Sequence, residues 1–534
     1  MRKYFVLLLI LVGVQLSGQQ LDLPLLVKLR QNVDISQIQN ELSIPAGRAK
    51  MAYKCISKKS SIFTIQIPFG IKQSLLEHLK QHPDVIWAVE DVPLEYRAIP
   101  DDSHIDQQWH LDKINAFSSW DISTGGLTPS GDTIVIAVID DGFMPNHEDV
   151  KANVWKNYAE IPGDGKDNDN NSYVDDFAGL NVVTGADNHP LRSHGTATSG
   201  LVGASGNNGK GVSGINWNVK LLLISEANSA SNVIEAYEYV LALRKLYNET
   251  NGTKGAFVVA TNLSAGIDDA FPEDNPIFQE WCNLYDELGE AGVININAVP
   301  NRHVDIDVVG DMPSTCSSPY LIKVTMTQKD DLKDEQGGFG KVHVNLATPG
   351  SEIYSTTTNH QYNSFTGTSN AAPQVAGTVG LLYSAPCDNF AQLYKNEPAA
   401  AASAIRSMIL EGVDKIAGLG AYTSTGGRLN VLGAITRLRD FCEGSSGELS
   451  IQNVYPNPAS QGLSIEYESD NYELHHFAIF NALGQSIIAY DFNPPFFGEK
   501  KLQLELDKYG FPTGIYFVSI RSGSNISTKK VLLY

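Results

Sequence analysis

The sequence predicts an α/β fold for the central part of the chain, a mostly parallel sheet with helices on both faces. The run Ile134–Ile139 is apolar and unbroken, which is typical of a strand buried on both faces. Two amphipathic stretches, Ser231–Tyr247 and Ile277–Glu290, have the period of helices and lie between further apolar runs. Strands that alternate with helices in this way imply crossover connections and therefore parallel pairing.

The same two patterns, apolar runs and amphipathic stretches, predict further elements of this region. Ser231 is expected to cap the first helix. Ser369 is expected at the start of a buried helix that continues over Asn370–Tyr383, with Pro373 in its first turn, where a missing N–H costs little. Five more apolar runs are expected to be strands: Lys220–Ile224, Ala256–Thr261, Val293–Ala298, Tyr320–Met326 and Val342–Ala347.

The length and net charge of the chain limit its domain organisation and its partners. A chain of 534 residues is too long for one domain, and its content of 42% hydrophobic and 19% charged residues is ordinary for a globular protein. The formal net charge of −21 argues against nucleic acid or an anionic membrane as a partner.

The N-terminus is expected to direct export. Residues Met1–Gly18 have the pattern of a signal peptide, with Arg2 and Lys3 before an apolar run. That run is too short to span a membrane, and no later stretch reaches the required length. We therefore expect a mature chain without a transmembrane span, either secreted or on the outer cell surface.

Export permits disulfide bonds between the cysteines. Cys55 precedes the central region, and the other four cysteines allow three pairings. Proximity in sequence favours Cys282 with Cys316 and Cys387 with Cys442.

Three polar residues stand where predicted elements begin or end. Asp140 follows the strand in TIVIAVIDDGF, His194 begins the small-residue segment RSHGTATSG, and Ser369 lies in FTGTSNAAPQ. Taken singly, they could be a turn residue, a structural histidine and a helix cap. Together they are the groups of nucleophilic catalysis, since a hydroxyl needs a neighbouring base that can take its proton near neutral pH.

In this order, Asp then His then Ser, the motifs resemble those of the subtilisin-like serine proteases (subtilases). The resemblance covers about residues 101–442 and implies a catalytic domain over 100–442. It implies that Ser369 is the nucleophile, that His194 is the general base and then acid, and that Asp140 orients His194. The implied reaction is hydrolysis of protein or peptide substrates through an acyl-enzyme.

The resemblance extends to residues that would hold the substrate. Asn301 falls on the position of the oxyanion-hole amide, although Pro300 replaces the usual glycine and an ordinary turn asparagine stays possible. Ser264, Ala265 and Gly266 resemble the segment that pairs with the substrate backbone as an added strand.

Calcium is the expected cofactor, in a structural role. Asp101, Asp149 and Asn208 fall on positions that resemble ligands of the family's strong calcium site. A second stretch, 163–176, lacks the Gly and Glu of an EF-hand but crowds into one loop Asp164, Asp167, Asp169, Asn171, Asp175 and Asp176. A solvated acidic loop is an equally good interpretation of that stretch.

Residues 19–99 resemble a subtilase pro-domain, most clearly at His82–Arg97. Such a small α+β domain assists folding, inhibits the enzyme within the same chain and is then removed, here between Arg97 and Asp102. A permanent N-terminal domain is the alternative.

After a polar linker, 443–448, residues 449–534 resemble the C-terminal sorting domain of type IX secretion substrates. Their alternating pattern predicts a β-sandwich. The implied partner is the type IX secretion machinery, and a carbohydrate- or protein-binding module is the alternative.

A different function for the whole chain also stays open. Ala197 and Gln374 stand where the family often has histidine. The chain could therefore be a catalytically weak or inactive protease fold that serves as a surface adhesin or binding protein.

Overall fold

The computed structural model describes residues 24–31, 33, 35–36, 38, 52–66, 72–91, 99–443, 449–469, 475–492, 500–522 and 525–534. The predicted signal peptide lies outside these residues, as do 444–448 of the predicted linker and residues 97 and 98 of the predicted maturation segment. The chain divides into two units, 1–96 and 97–534.

The described part of the first unit contains an antiparallel sheet packed with the amphipathic helix α1, and residues 35, 36 and 38 are also helical. The sheet order is β2-β3-β1-β4, and Val27 of β1 and Leu79 of α1 are both fully buried in its core. This is the small α+β architecture that the sequence predicts for this segment. The elements are β1 Leu25–Leu29, β2 Ala52–Ser57, β3 Ile62–Gln66, α1 Lys72–Gln81 and β4 Val85–Glu90.

The second unit is built on a nine-stranded sheet. Its order is β16-β17-β13-β12-β10-β8-β5-β7-β6, and every pair is parallel except the edge pair β16–β17. The prediction of a mostly parallel sheet is therefore confirmed. The strands are β5 Val135–Ile139, β6 Leu180–Asn181, β7 Lys220–Ser225, β8 Val258–Leu263, β10 Ile294–Ala298, β12 Leu321–Thr327, β13 Leu346–Pro349, β16 Asp414–Lys415 and β17 Gly427–Arg428.

Two short antiparallel pairs lie outside this sheet. They are β9 Ile267–Asp268 with β11 Asp311–Met312, and β14 Ile353–Thr357 with β15 Gln361–Phe365.

The central sheet is covered by helices on both faces, which explains why its strand β5 is apolar at every position. Ile136 and Val138 of β5 face one core, whereas Val135, Ala137 and Ile139 face the other. The helices are α2 Trp109–Lys113, α3 Ala116–Trp120, α4 Ser193–Gly203, α5 Ala230–Glu249, α6 Pro276–Glu290, α7 Ile306–Val309, α8 Thr368–Ser384, α9 Asp388–Asn396, α10 Pro398–Glu411 and α11 Val431–Glu443. Short 3₁₀ turns occupy Ile105–Gln107, Pro272–Asp274, Ala417–Leu419 and Leu506–Lys508.

Two local predictions were wrong. The cap of α5 is Ser229, whose hydroxyl accepts a hydrogen bond from Asn232 N, so Ser231 lies inside the helix. The strand predicted to begin at Val342 begins only at Leu346, because the N–H groups of Val342 and His343 donate to the Asp307 carboxylate instead of to a neighbouring strand.

The C-terminal strands form two antiparallel sheets that share one core. Their orders are β18-β19-β22 and β21-β20-β23-β24, and the inward side chains of both sheets, among them Ile465 and Val518, are fully buried together. The strands are β18 Ser450–Tyr455, β19 Gly462–Glu468, β20 His475–Asn481, β21 Ser486–Phe492, β22 Lys501–Glu505, β23 Gly514–Ser522 and β24 Asn525–Leu533. The described part of this segment is thus the two-sheet sandwich that its sequence predicts.

No helix in the described ranges combines the length and the apolar character needed to cross a bilayer. Both favoured disulfides are present: Cys282 is bonded to Cys316, and Cys387 to Cys442. Cys55 is free and exposed.

The disulfide Cys387–Cys442 should contribute strongly to stability, because it closes a loop with a sequence separation of 55. We expect replacement of both cysteines by serine to lower the free energy of unfolding by about 4 kcal/mol, through the entropy regained by the unfolded chain. Guanidinium unfolding of the full chain measures this. Cys55→Ser is the matched control and should leave the free energy unchanged; equal losses in both variants would contradict the expectation.

Candidate active site

Asp140 is held at the carboxyl end of β5 by three hydrogen bonds. Its side chain is buried, with 6% of its surface exposed. One carboxylate oxygen, Oδ1, accepts from His194 Nδ1 at 2.6 Å and from Asp141 N at 2.8 Å, and Oδ2 accepts from Thr198 Oγ1 at 2.9 Å. These donors support the ionised carboxylate, since a buried charge without such partners is costly.

His194 is the second residue of α4, and a glycine beside it allows the helix to approach β5. A Cβ on Gly195 would lie 2.2 Å from Gly142 O and 2.9 Å from Asp140 Cβ. Only glycine permits this close approach, which brings the imidazole to the carboxylate. Because Nδ1 bonds to Asp140, the other ring nitrogen, Nε2, is left to exchange a proton.

The carboxylates beside His194 control its charge. Burial lowers the pKa of the ring, but the charge and hydrogen bond of Asp140, together with the charge of Asp141, outweigh burial and raise the pKa to about 9. Burial and the charge of Asp140 raise the pKa of the Asp141 carboxyl to about 6. The resting pair is therefore an imidazolium held by a carboxylate at neutral pH.

Ser369 lies in the first turn of α8, one residue after the helix begins at Thr368, so it is not the helix cap. Its hydroxyl donates to Ser264 O at 3.3 Å. Among the described residues it makes no hydrogen bond to His194. The helices that carry the two residues, α4 and α8, pack against each other.

Pro373 lies in the second turn of α8, not in the first as predicted. Its missing N–H leaves the carbonyl of Ser369 without the usual helical donor. Ser264 Oγ donates to that carbonyl at 3.2 Å. Ser264 and Ser369 thus exchange two hydrogen bonds, which fix the loop after β8 to the start of α8.

Asn301 is oriented by its neighbour in space, Thr368. Its amide oxygen, Oδ1, accepts from Thr368 N at 2.8 Å and from Thr368 Oγ1 at 3.0 Å. With the oxygen held in this way, the Nδ2 group is left as a donor. In the part of the chain that the structure describes, that group donates to no other residue.

A cavity of about 130 Å³ brings together five of the seven predicted catalytic and substrate-binding residues. It includes the predicted nucleophile, the predicted oxyanion donor and the segment predicted to bind substrate. Its lining residues are Ser264, Ala265, Gly266, Asp268, Ala298, Val299, Pro300, Asn301, Asp311, Thr368 and Ser369.

The three predicted calcium ligands lie on adjoining loops but already hold protein donors. The Asp149 carboxylate accepts from Asn208 Nδ2 at 2.9 Å and from Val212 N at 2.8 Å. Asn208 Oδ1 accepts from Lys210 N, and Asp101 Oδ1 accepts from Gly209 N. Each of these three residues therefore already accepts at least one hydrogen bond from the protein in this arrangement.

A second acidic group also brings carboxylate oxygens together, although most of these oxygens accept hydrogen bonds from the protein as well. Carboxylate oxygens of Glu160, Asp169 and Asp176 lie within 4.8 Å of one another. Glu160 is 4% exposed, and its Oε2 atom has no hydrogen-bond partner in the described structure. Oxygen atoms that converge in this way are the donors that calcium prefers.

Several residues of the site were not predicted. Thr198 bonds the Asp140 carboxylate, Thr368 orients Asn301, and Asp311 lies buried in the cavity. Thr198 is four residues from His194 on one helix, a spacing that could have indicated a shared face. Nothing local marks Asp311, because it reaches the cavity through pairing of β9 with β11.

Comparison with known proteins gives two family matches. Residues 131–415 match the model of the Subtilase family, and residues 453–534 match that of the Secretion system C-terminal sorting domain.

Individual relatives share less than a third of their residues with this chain. Subtilisin-like protease 1 of Plasmodium berghei (strain Anka) is 29% identical over 53% of this chain and 47% of its own length. The chain thus spans about half the length of that relative. Thermitase of Thermoactinomyces vulgaris is 28% identical over 62% of this chain and 96% of its own length. A solved structure, the epidermin leader peptide processing serine protease of Staphylococcus aureus, is 18% identical, covers 78% of this chain and 98% of its own, and has a TM-score of 0.47.

The His194–Asp140 pair predicts an unusual titration. We expect the His194 ring to titrate near pH 9 in NMR spectra of the histidine-labelled chain, with His194→Ala as the assignment control. Asp140→Asn should lower the pKa of His194 strongly, because only the charge of Asp141 then opposes the effect of burial. Asp141→Asn should lower the pKa of His194 by less than Asp140→Asn does.

The exposed Asp112→Asn, on α2, is the matched control and should leave the titration in place. A His194 pKa that does not respond to Asp140→Asn would contradict the assignment of the raised pKa to this pair.

Proposed function

This chain belongs to the subtilase family, and from that premise we propose that it is a secreted serine endopeptidase. It hydrolyses peptide bonds with Ser369, His194 and Asp140 as its triad. The observation that carries the proposal is the hydrogen bond of 2.6 Å between Asp140 and His194. The helix that contains His194 packs against the helix that contains Ser369.

The first half of the reaction requires a change at Ser369. Its hydroxyl leaves the carbonyl of Ser264 and donates to His194 Nε2, and the oxygen attacks the carbonyl carbon of the substrate while the imidazole takes the proton. Asp140 stabilises the imidazolium so formed. Because a pKa of about 9 leaves about 1% of the ring neutral at pH 7, the base works best in alkaline solution.

The oxyanion of the tetrahedral intermediate is stabilised by two donors, Asn301 Nδ2 and the backbone N–H of Ser369. The orientation of the Asn301 amide by Thr368 supports this role, since the donor needs no reorganisation during the reaction. His194 then returns its proton to the leaving amine, and the C–N bond breaks. A water molecule, deprotonated by His194, hydrolyses the acyl-enzyme and regenerates Ser369.

The segment Ser264–Gly266 binds the substrate backbone as an added strand. Its position in the wall of the cavity that holds Ser369 supports this role. Backbone pairing of this kind tolerates many sequences, so it fixes the scissile bond without choosing a side chain.

The remaining segments serve production and export of the enzyme. The sorting-domain match at 453–534 supports delivery by the type IX secretion machinery, with release or attachment at the cell surface. The first unit acts as a pro-domain that inhibits the enzyme until it is removed.

Covalent labelling tests the nucleophile. We expect a fluorophosphonate probe to label the mature wild-type protein, because His194 and the oxyanion donors activate Ser369 towards such reagents. Ser369→Ala should abolish labelling and hydrolysis of casein, measured by gel fluorescence and peptide release. The exposed Ser364→Ala, on β15 of the preceding segment, is the matched control and should be labelled normally. A mature wild-type protein that takes no label would favour the non-catalytic adhesin.

We also propose that calcium binds at Glu160, Asp169 and Asp176 and stabilises the fold. Calcium should raise the Tm of the full-length Ser369→Ala chain, and a chelator should lower it, because the ion offsets repulsion among the three carboxylates. Differential scanning calorimetry measures both shifts.

Matched variants locate the ion. Glu160→Gln should remove the calcium-dependent rise in Tm, whereas Asp149→Asn should retain it. If only Asp149→Asn loses the calcium-dependent rise in Tm, calcium binds at Asp101, Asp149 and Asn208 instead. If a chelator leaves the Tm unchanged, no calcium ion stabilises the fold.

A further inference from the structure

The cavity beside Ser369 contains a buried carboxylate without a counter-ion. Asp311 is 1% exposed, and its Oδ2 atom has no hydrogen-bond partner within the described part of the chain. A charged group in that position is costly unless a cation or a donor reaches it. The mechanism above does not use this residue.

The backbone around the cavity packs closely against Asp311, which still lines the cavity. Asp311 pairs with Asp268 in the short ladder of β9 with β11. A Cβ on Gly266 would lie 3.3 Å from Asp311 Oδ1 and 2.6 Å from Met312 O. Because residue 266 is a glycine, the wall that would pair with the substrate backbone comes close to the carboxylate without covering it.

The charges nearby do not neutralise Asp311. Arg302 is the cation of this region, and it forms ion pairs with Asp268 at 3.2 Å and Asp269 at 2.5 Å. Asp311 itself forms no ion pair among the described residues. Three carboxylates therefore share one guanidinium, which leaves the cavity and its rim negative.

The protonation of Asp311 reflects the same imbalance. Burial raises the pKa of its carboxyl to about 8, hydrogen bonds from Ser314 oppose this rise, the charge of Asp268 adds to it, and Arg302 counters it. An entering cation would reverse the largest part of this effect by pairing with the ionised form.

The position of the cavity indicates which part of a substrate enters it. The carbonyl that Ser369 attacks would lie between the Ser369 hydroxyl and Asn301 Nδ2, and both residues line the cavity. Ser264–Gly266, which line the same cavity, would pair with the backbone on the amino side of that carbonyl. The side chain that points into the cavity is then the one on the residue whose carbonyl is attacked.

We propose that this cavity selects lysine or arginine at the residue on the amino side of the cleaved bond, and that Asp311 is the specificity-determining group. The proposal rests on the proposed function and names its substrate class. Asp268, on the rim of the same cavity, adds long-range attraction for a cation, but its charge is shared with Arg302.

Matched peptide substrates test the proposal. They differ only at the residue before a fluorogenic amide, which is arginine, lysine, leucine or glutamate. We expect wild-type kcat/KM to be highest for arginine and lysine. Asp311→Asn, which keeps the shape and removes the charge, should lower kcat/KM for the basic substrates by about 30-fold or more and leave leucine nearly unchanged. Asp269→Asn is the matched control, since Asp269 pairs with the same arginine but does not line the cavity; it should leave the preference largely intact.

The pH dependence of the preference gives a second readout on the unaltered protein. The ratio of kcat/KM for arginine to that for leucine should rise as the pH rises through about 8, because Asp311 ionises and attracts the cation. The titration of His194 affects both substrates and divides out of the ratio. The charged groups near the Asp311 carboxyl are Asp268 and Arg302, and Arg302 is also paired with Asp269. If Asp311→Asn does not fold, the pH dependence of the arginine-to-leucine ratio in the wild-type protein still tests the role of Asp311.

The outcomes separate the two proposals. Labelling by fluorophosphonate together with a preference for leucine, or a ratio that stays flat with pH, overturns the role of Asp311 and leaves the protease intact. The absence of both labelling and hydrolysis overturns the protease and the substrate class with it. A preference for basic residues that survives Asp311→Asn also overturns the assignment, because the charge would then come from another residue.

Discussion

The buried carboxylate of Asp140 is the constraint on which the candidate site depends. It stands at the end of a strand that is covered on both faces, so its charge cannot be solvated and must be satisfied by protein donors. Those donors are His194, Thr198 and the backbone of Asp141, and two of the three come from α4. The helix must therefore approach the strand closely, which Gly195 permits. The close approach of α4 to β5 therefore both supplies donors to the Asp140 carboxylate and orients the imidazole of His194.

A second constraint arises at the other end of the site, where Pro373 interrupts the hydrogen bonding of α8. The carbonyl of Ser369 loses its helical donor and takes one from Ser264 instead, while the Ser369 hydroxyl donates back to the carbonyl of Ser264. This exchange ties the substrate-binding wall to the residue that would attack. In the proposed mechanism the Ser369 hydroxyl gives up this hydrogen bond to donate to His194, so Ser264 would couple substrate binding to activation of the hydroxyl.

The sequence alone predicted the sheet and the motifs well, because both are local patterns. Ile134–Ile139 shows its burial on both faces in its own composition, and Asp140, His194 and Ser369 each lie within a recognisable segment. Predictions failed where a distant group decides the structure. The strand expected at Val342 is replaced by a turn because the carboxylate of Asp307 takes its N–H groups. The cap of α5 is Ser229 and not Ser231, since two serines within one turn offer equivalent signals and only the packed helix chooses between them.

Asp140 and Asp311 show how the same residue type acquires opposite properties within one site. Asp140 is surrounded by donors, and in the proposed mechanism it stabilises the positive charge that develops on His194. Asp311 is buried with an oxygen left unpartnered, and it becomes charged most readily when something positive arrives. Because one oxygen of Asp311 has no partner and the residue lines the same cavity as Ser369, a basic side chain of the substrate could pair with it. The chain itself offers a candidate: within the predicted maturation segment, 97–102, Arg97 is the only basic residue. A cavity that selects basic side chains would direct cleavage to the bond after Arg97, so the charge of Asp311 would also define where the mature enzyme begins.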